Sequence, residues 1–182
     1  MLNIPEFRDG RSFAPHSVET FRLYSDAVSS VAALKRAGFL VIVATNQPDA
    51  GAGHVAREAV EAMHMRLRSE IAIDDLEVCY ETREQSSDRR KPGIGMLRSA
   101  AAKWGIDLSR SFMVGDRASD IECALNAGCT GIFIDLGYTE LLPVGQAVTV
   151  QSLGAATNWI LRNAASKLQV QYERREEILL AK

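Results

Sequence analysis

No stretch of the 182-residue chain approaches the roughly twenty consecutive apolar residues that a membrane-spanning helix requires, and residues 1–6, Met-Leu-Asn-Ile-Pro-Glu, carry no basic cluster before an apolar run. Cysteine is scarce: Cys79, Cys123 and Cys129 are odd in number and form no Cys-x-x-Cys pair, which excludes a disulfide framework and suits a reducing compartment. Charge of one sign is also missing. With 21 basic and 23 acidic side chains the formal charge is −2, so no long-range field selects nucleic acid or an anionic membrane as a partner. The expectation is a cytoplasmic protein, monomeric or a weak homodimer, that holds a small ligand locally. Internal repeats and low-complexity segments are absent too.

What is present is 47% apolar residues, enough for one buried core, in an alternating pattern. "SDAVSSVAALKRAG" predicts a helix capped by Ser25, ended by Gly38 and burying Val28, Val31, Ala32 and Leu34. "FLVIVAT" (39–45) is an unbroken β-branched run, as expected of a strand covered on both faces in a parallel sheet. A helix from His54 to Arg68 with Val60, Met63 and Leu67 inward follows, then a strand at 75–81 and a polar loop at 83–90. Next come a helix at 94–104, the strand "SFMVGD", a helix from Ser119 to Ala127 closed by Gly128, the strand "TGIFID", a short strand at "AVTV" and a last helix near Trp159. Such alternation predicts an α/β fold, a Rossmann-like, doubly wound parallel sheet in three layers, with ligands beyond the carboxyl ends of the strands.

That rule brings three polar segments to one rim: "TNQ" (45–47), "RRKP" (89–92) and "GDRASD" (115–120). Asp116 and Asp120 are hard oxygen donors suited to Mg²⁺, which is tied by one or two carboxylates and phosphate oxygens. Lys91 would neutralise phosphoryl charge and Thr45 would donate to it. Each segment alone has a plainer reading. A strand-end Asp caps the next helix, Asn46 suits a turn, and a basic tripeptide is usually a solvated loop. His16, His54 and His64 fall outside the segments and read as surface or packed residues, His64 against Val60 and Leu67. Trp104 and Trp159 read as helix-end packing.

The segments "VIVATNQ", "RRKPGIGML" and "SFMVGDRASDIECALNAG" resemble motifs II, III and IV of the haloacid dehalogenase superfamily. More narrowly, they resemble the branch of heptose 1,7-bisphosphate and histidinol-phosphate phosphatases, over about residues 8–165. The resemblance implies a domain at 1–165 with a helical tail at 166–182. It also implies Mg²⁺-dependent hydrolysis of a small phosphorylated sugar through an aspartyl-phosphate. It makes Thr45 and Asn46 phosphate and substrate contacts, Arg90 and Lys91 the substrate and phosphate cations, and Asp116 and Asp120 the metal site, Asp120 acting directly or by orienting the shell.

Two departures from the family pattern qualify this. Motif I, Asp-x-Asp-Gly-x-x-Asn after an apolar first strand, is not found in residues 1–24. "MLN" matches only its end, as if the chain began inside it, and Asp9 in "RDG" reads as a turn residue. The expectation is therefore a sheet lacking its first strand and a chain lacking its nucleophile and general acid, hence inactive as it stands. The alternative is a non-catalytic relative binding a phosphosugar or a protein, with a strand donated by another chain as a third possibility. In addition, the positions of a structural zinc site carry Cys79, Glu81, Ser87 and Arg89, so zinc is not expected.

Overall fold

The computed structural model describes residues 1–8, 11–82, 84–85, 87–138 and 141–164. The expected tail helix at 166–182 and the turn residue Asp9 lie outside them. The chain opens with a hairpin, β1 (Glu6–Arg8) antiparallel to β2 (Arg11–Phe13), which the sequence reading left as loop. Then follow α1 (Ala27–Arg36), β3 (Ile42–Asn46), a short α2 (Pro48–Gly51), α3 (Arg57–Glu70), β4 (Asp75–Cys79) and α4 (Gly95–Trp104). After a 3₁₀ turn at Leu108–Arg110 come β5 (Phe112–Gly115), α5 (Ala118–Asn126), β6 (Thr130–Ile134), β7 (Val148–Val150) and α6 at 153–164. No helix among the described residues is long and apolar enough to cross a membrane.

β3 pairs parallel with β4, and β5, β6 and β7 pair parallel in that order, so the alternating pattern gives the α/β fold it predicts. One core runs under both groups, from Leu2, Phe21, Ala27, Val31 and Leu34 to Ile132, Ile134 and Ile160. On α1 the inward face is Ala27, Ser30, Val31 and Leu34, whereas Val28, expected inside, is 49% exposed. The cap is Asp26 rather than Ser25, and the buried stripe follows Ala27, Ser30, Val31 and Leu34, outside which Val28 falls. β4 buries Asp75, Glu77 and Cys79 rather than its apolar positions. The two acids are matched: Asp75 accepts from Trp104 Nε1 at 2.7 Å, and Glu77 from Arg89 Nη2 at 2.6 Å and Ser99 Oγ at 3.0 Å.

Between β3 and β5 the sheet is open. Asp74 N donates to Val41 O and Gln47 N to Cys79 O, so the odd-numbered residues of β3 turn their backbone groups toward β4. Ile42, Ala44 and Asn46 therefore turn theirs the other way. Thr130 N likewise donates to Ser111 O, which sends the backbone groups of Phe112 and Val114 away from β6. No described strand pairs with either inner edge. All five residues of β3 are only half-buried, where a strand covered on both faces was expected, while four of the five in β6 are fully buried. The slot between the two groups of strands, bordered by their unpaired inner edges, accounts for the difference.

Candidate active site

The strands run parallel, so the segments after β3 and β5 and the one before α4 meet at one rim. Lys91 is the pivot. Its Nζ lies 2.6 Å from Asp120 Oδ1 and donates to Ala44 O at 2.8 Å, with the side chains of Lys91 and Asp120 only 12% and 6% exposed. The ammonium thus bridges the inner edge of β3 and the start of α5. Asn46 holds the Lys91 backbone from both sides: Nδ2 donates to Lys91 O and Lys91 N donates to Oδ1, each at 3.2 Å. Expected as a substrate contact, Asn46 is here a brace for the lysine.

The other residues singled out by the sequence sit nearby in different roles. Thr45 Oγ1 accepts from Gln47 Nε2 at 3.1 Å, and Arg90 Nη1 donates to Glu81 O at 2.7 Å. Asp120, the third residue of α5, accepts at Oδ2 from Arg117 N at 3.2 Å in a capping box. Both of its oxygens are engaged, one by the cap and one by Lys91. Gly115 is required for space, not for a sharp turn: a Cβ there would lie 2.2 Å from Asp120 Cβ.

Asp116 has a different set of partners. Its Oδ2 meets the α-amino group of Met1 at 3.1 Å and accepts from Tyr138 Oη at 2.9 Å. Burial pushes its pKa up, but the ammonium, Tyr138 and Arg117 together outweigh burial and hold it below the ordinary carboxylate value. Asp116 is an ionised, largely buried carboxylate beside a cation. A divalent metal on this carboxylate would compete with the ammonium for Oδ2, and phosphate and water would complete its shell. No group of three His, Cys, Asp or Glu residues among the described residues could form an all-protein cage. Burial and the Asp116 charge raise the Tyr138 pKa. Arg117 stacks over the Tyr138 ring at 4.5 Å and donates to Ser12 Oγ, tying β2 to this side of the rim. The sequence reading missed Tyr138 because it stopped at the end of β6, although the rim rule extends to the "DLGY" loop that follows.

The loop between β4 and α4 is closed by hydrogen bonds. Glu81 accepts from Ser87 N at 3.0 Å and Ser87 Oγ at 2.8 Å, and Arg89 N donates to Ser87 Oγ at 3.0 Å. Cys79 is buried in β4.

A HAD-hydrolase-like family model matches residues 88–151, which contain Lys91, Asp116 and Asp120. D-glycero-D-manno-heptose-1,7-bisphosphate 7-phosphatase of Thermosynechococcus vestitus is 30% identical over 175 residues, covering 84% of this chain and 89% of the relative. The chain belongs to the haloacid dehalogenase superfamily, in its heptose-bisphosphate phosphatase branch. The haloacid dehalogenase relative of the same phosphatase name from Pseudomonas putida is 37% identical over 119 residues, 63% of this chain and 68% of its own. Among solved structures, the D,D-heptose 1,7-bisphosphate phosphatase of B. bronchiseptica, complexed with magnesium and phosphate, superposes with a TM-score of 0.75. It is 23% identical, and the match covers 90% of this chain and 95% of that one, which shows the shared haloacid dehalogenase fold.

Proposed function

We propose that this rim binds the phosphoryl group of a small phosphorylated sugar beside Mg²⁺, and that its chemistry is the phosphomonoester hydrolysis for which its relatives are named. The observation that carries this is Lys91, a nearly buried ammonium fixed between a strand carbonyl and Asp120 at the mouth of the slot. A cation so held is preorganised for the charge on phosphoryl oxygens. Thr45 donates to those oxygens and Arg90 orients the ester. Asp116 would hold the metal, and Asp120 supports the site by fixing Lys91. Bound Mg²⁺ supplies charge neutralisation of the phosphate.

Residues 1–24 offer no Asp-x-Asp, and Asp120 has one oxygen at the α5 cap and the other on Lys91. The 182-residue polypeptide therefore binds the ester without turning it over, and residues 1–165 form the unit that does so. Phosphate release from heptose 1,7-bisphosphate and from an aryl phosphate is measured with Mg²⁺, for this chain and for a form preceded by an apolar strand ending in Asp-x-Asp-Gly. Activity in the longer form alone, lost on Asp116→Asn, is the expected result. Turnover by the short form that survives Asp116→Asn would refute the assignment. Binding of phosphate by both forms with hydrolysis by neither would favour a phosphosugar-binding role.

A further inference from the structure

The segment after β6 reads Asp135-Leu136-Gly137-Tyr138. Asp135 Oδ1 accepts from Gly137 N at 2.9 Å, and Gly137 has φ of 73°, a conformation that a side chain would strain. The turn brings Tyr138 to the end of β5, where its Oη donates to Asp116 Oδ2 at 2.9 Å. Two further groups hold the ring. Phe7 of β1 lies 5.9 Å from it, centroid to centroid, and the Arg117 guanidinium covers it at 4.5 Å while donating to Ser12 O at 3.3 Å. A phenol held in this way has little freedom left to lose when it fixes a carboxylate oxygen.

Arg117 follows Asp116 directly in the chain and acts on it by charge, while its guanidinium stays on the Tyr138 ring and on Ser12. A guanidinium turned onto a carboxylate can take both oxygens in a bidentate pair, and a carboxylate so paired has no oxygen for a metal. Resting on the reading of Asp116 as the metal carboxylate, we infer that Tyr138 is its positioning residue, with two separable parts: the hydroxyl fixes the direction of the carboxylate, and the ring retains Arg117 so that it does not close on Asp116. The Met1 ammonium carries a charge that a divalent ion would replace, whereas the phenol is neutral and can stay on Oδ2 as the cation changes. Lys91 and its phosphate contact lie outside this arrangement, since the lysine is held by Ala44 O and Asp120.

The test is Mn²⁺ binding to the 182-residue chain, followed by electron paramagnetic resonance of the free ion, with inorganic phosphate titrated separately in the absence of metal. Wild type, Asp116→Asn, Tyr138→Phe, Tyr138→Leu and Tyr138→Leu combined with Arg117→Gln are compared. Wild type binds Mn²⁺ and Asp116→Asn does not. Tyr138→Phe keeps the ring and loses the hydroxyl, so Mn²⁺ affinity falls about tenfold, the lower end of the range for a group that orients a metal ligand. Tyr138→Leu also releases Arg117 and loses about a hundredfold, part of which Arg117→Gln recovers. Phosphate affinity in Tyr138→Phe stays at the wild-type value, which a general loosening of the fold would not allow. Unchanged Mn²⁺ affinity in Tyr138→Phe, or a fall matched by an equal fall in phosphate affinity, overturns the inference and leaves Asp116 as the metal carboxylate. Tyr138→Leu binding Mn²⁺ as well as Tyr138→Phe does overturns the part assigned to the ring. Equal Mn²⁺ binding by wild type and Asp116→Asn, or none by either, overturns the reading of Asp116 and the inference with it.

Discussion

Replacing Lys91 by Met keeps the aliphatic stem and removes the ammonium. Asp120, with only 6% of its side chain exposed, would be left with one oxygen capping α5 and the other facing no cation, while Ala44 O loses its donor. Breaking a buried pair from one side costs about 3–5 kcal/mol, because the remaining charge keeps its desolvation penalty and loses its partner. Asp120→Asn should cost less, since an amide oxygen can still accept from Arg117 N and no carboxylate remains unpaired. In the double variant neither charge is present, so its destabilisation should fall short of the sum of the two single changes by at least about 2 kcal/mol. Urea unfolding at pH 7 of all four proteins gives the cycle, provided the m-values agree. A cost below about 1 kcal/mol for Lys91→Met, with a coupling near zero, is the behaviour of a solvated surface pair. That result would refute the claim that the rim holds a desolvated, preorganised cation.

Gly115→Ala sets a methyl 2.2 Å from Asp120 Cβ, so it should destabilise by about 1–3 kcal/mol and weaken phosphate binding together; loss of stability with phosphate affinity intact would separate Gly115 from the site. Hydrogen bonds from Lys103 and Trp104 lower the Asp75 pKa from the ordinary 3.8 to about 2. The unfolded chain therefore binds the extra proton first, and about 2 kcal/mol of stability present above pH 4 is lost as pH falls toward 2. Asp75→Asn should flatten that limb in acid titration followed by circular dichroism. Because the positions of the zinc site carry Cys79, Glu81, Ser87 and Arg89, with a single thiol among them, a zinc chelator should leave the melting temperature unchanged. Ser87→Ala should hasten proteolysis within the loop after β4, which Ser87 closes against Glu81.

The fold was legible because its signals were local. Apolar runs and glycines set the strands and helices, and Gly105 and Gly128 do sit at helix ends with φ of 64° and 74°. The rim residues were legible through topology, which assembles segments that lie from about 25 to about 75 positions apart in sequence. Partnership was not. Nothing in "TNQ" tells that Asn46 holds the Lys91 backbone, and nothing in "GDRASD" tells that Asp120 faces Lys91 while Asp116 faces Tyr138. Those assignments depend on side-chain directions set by the pleat of β5 and the first turn of α5. The hairpin at Glu6–Phe13 was missed because its three-residue strands show no period, and Val28 because the buried stripe of α1 runs through Ala27 and Ser30, a small and a polar residue that an apolar period passes over.

In most α/β domains the middle of the sheet is the last place to exchange its amide protons, because each group is paired and dry. Here Ile42, Ala44 and Val114 have no described strand partner on the inner edges, whereas Ile132 and Ile134 are paired and buried, so amide exchange should be faster at the first three than at the last two. The two groups of strands are therefore held together by their shared core and by Lys91 at the rim, not by backbone hydrogen bonds between described strands.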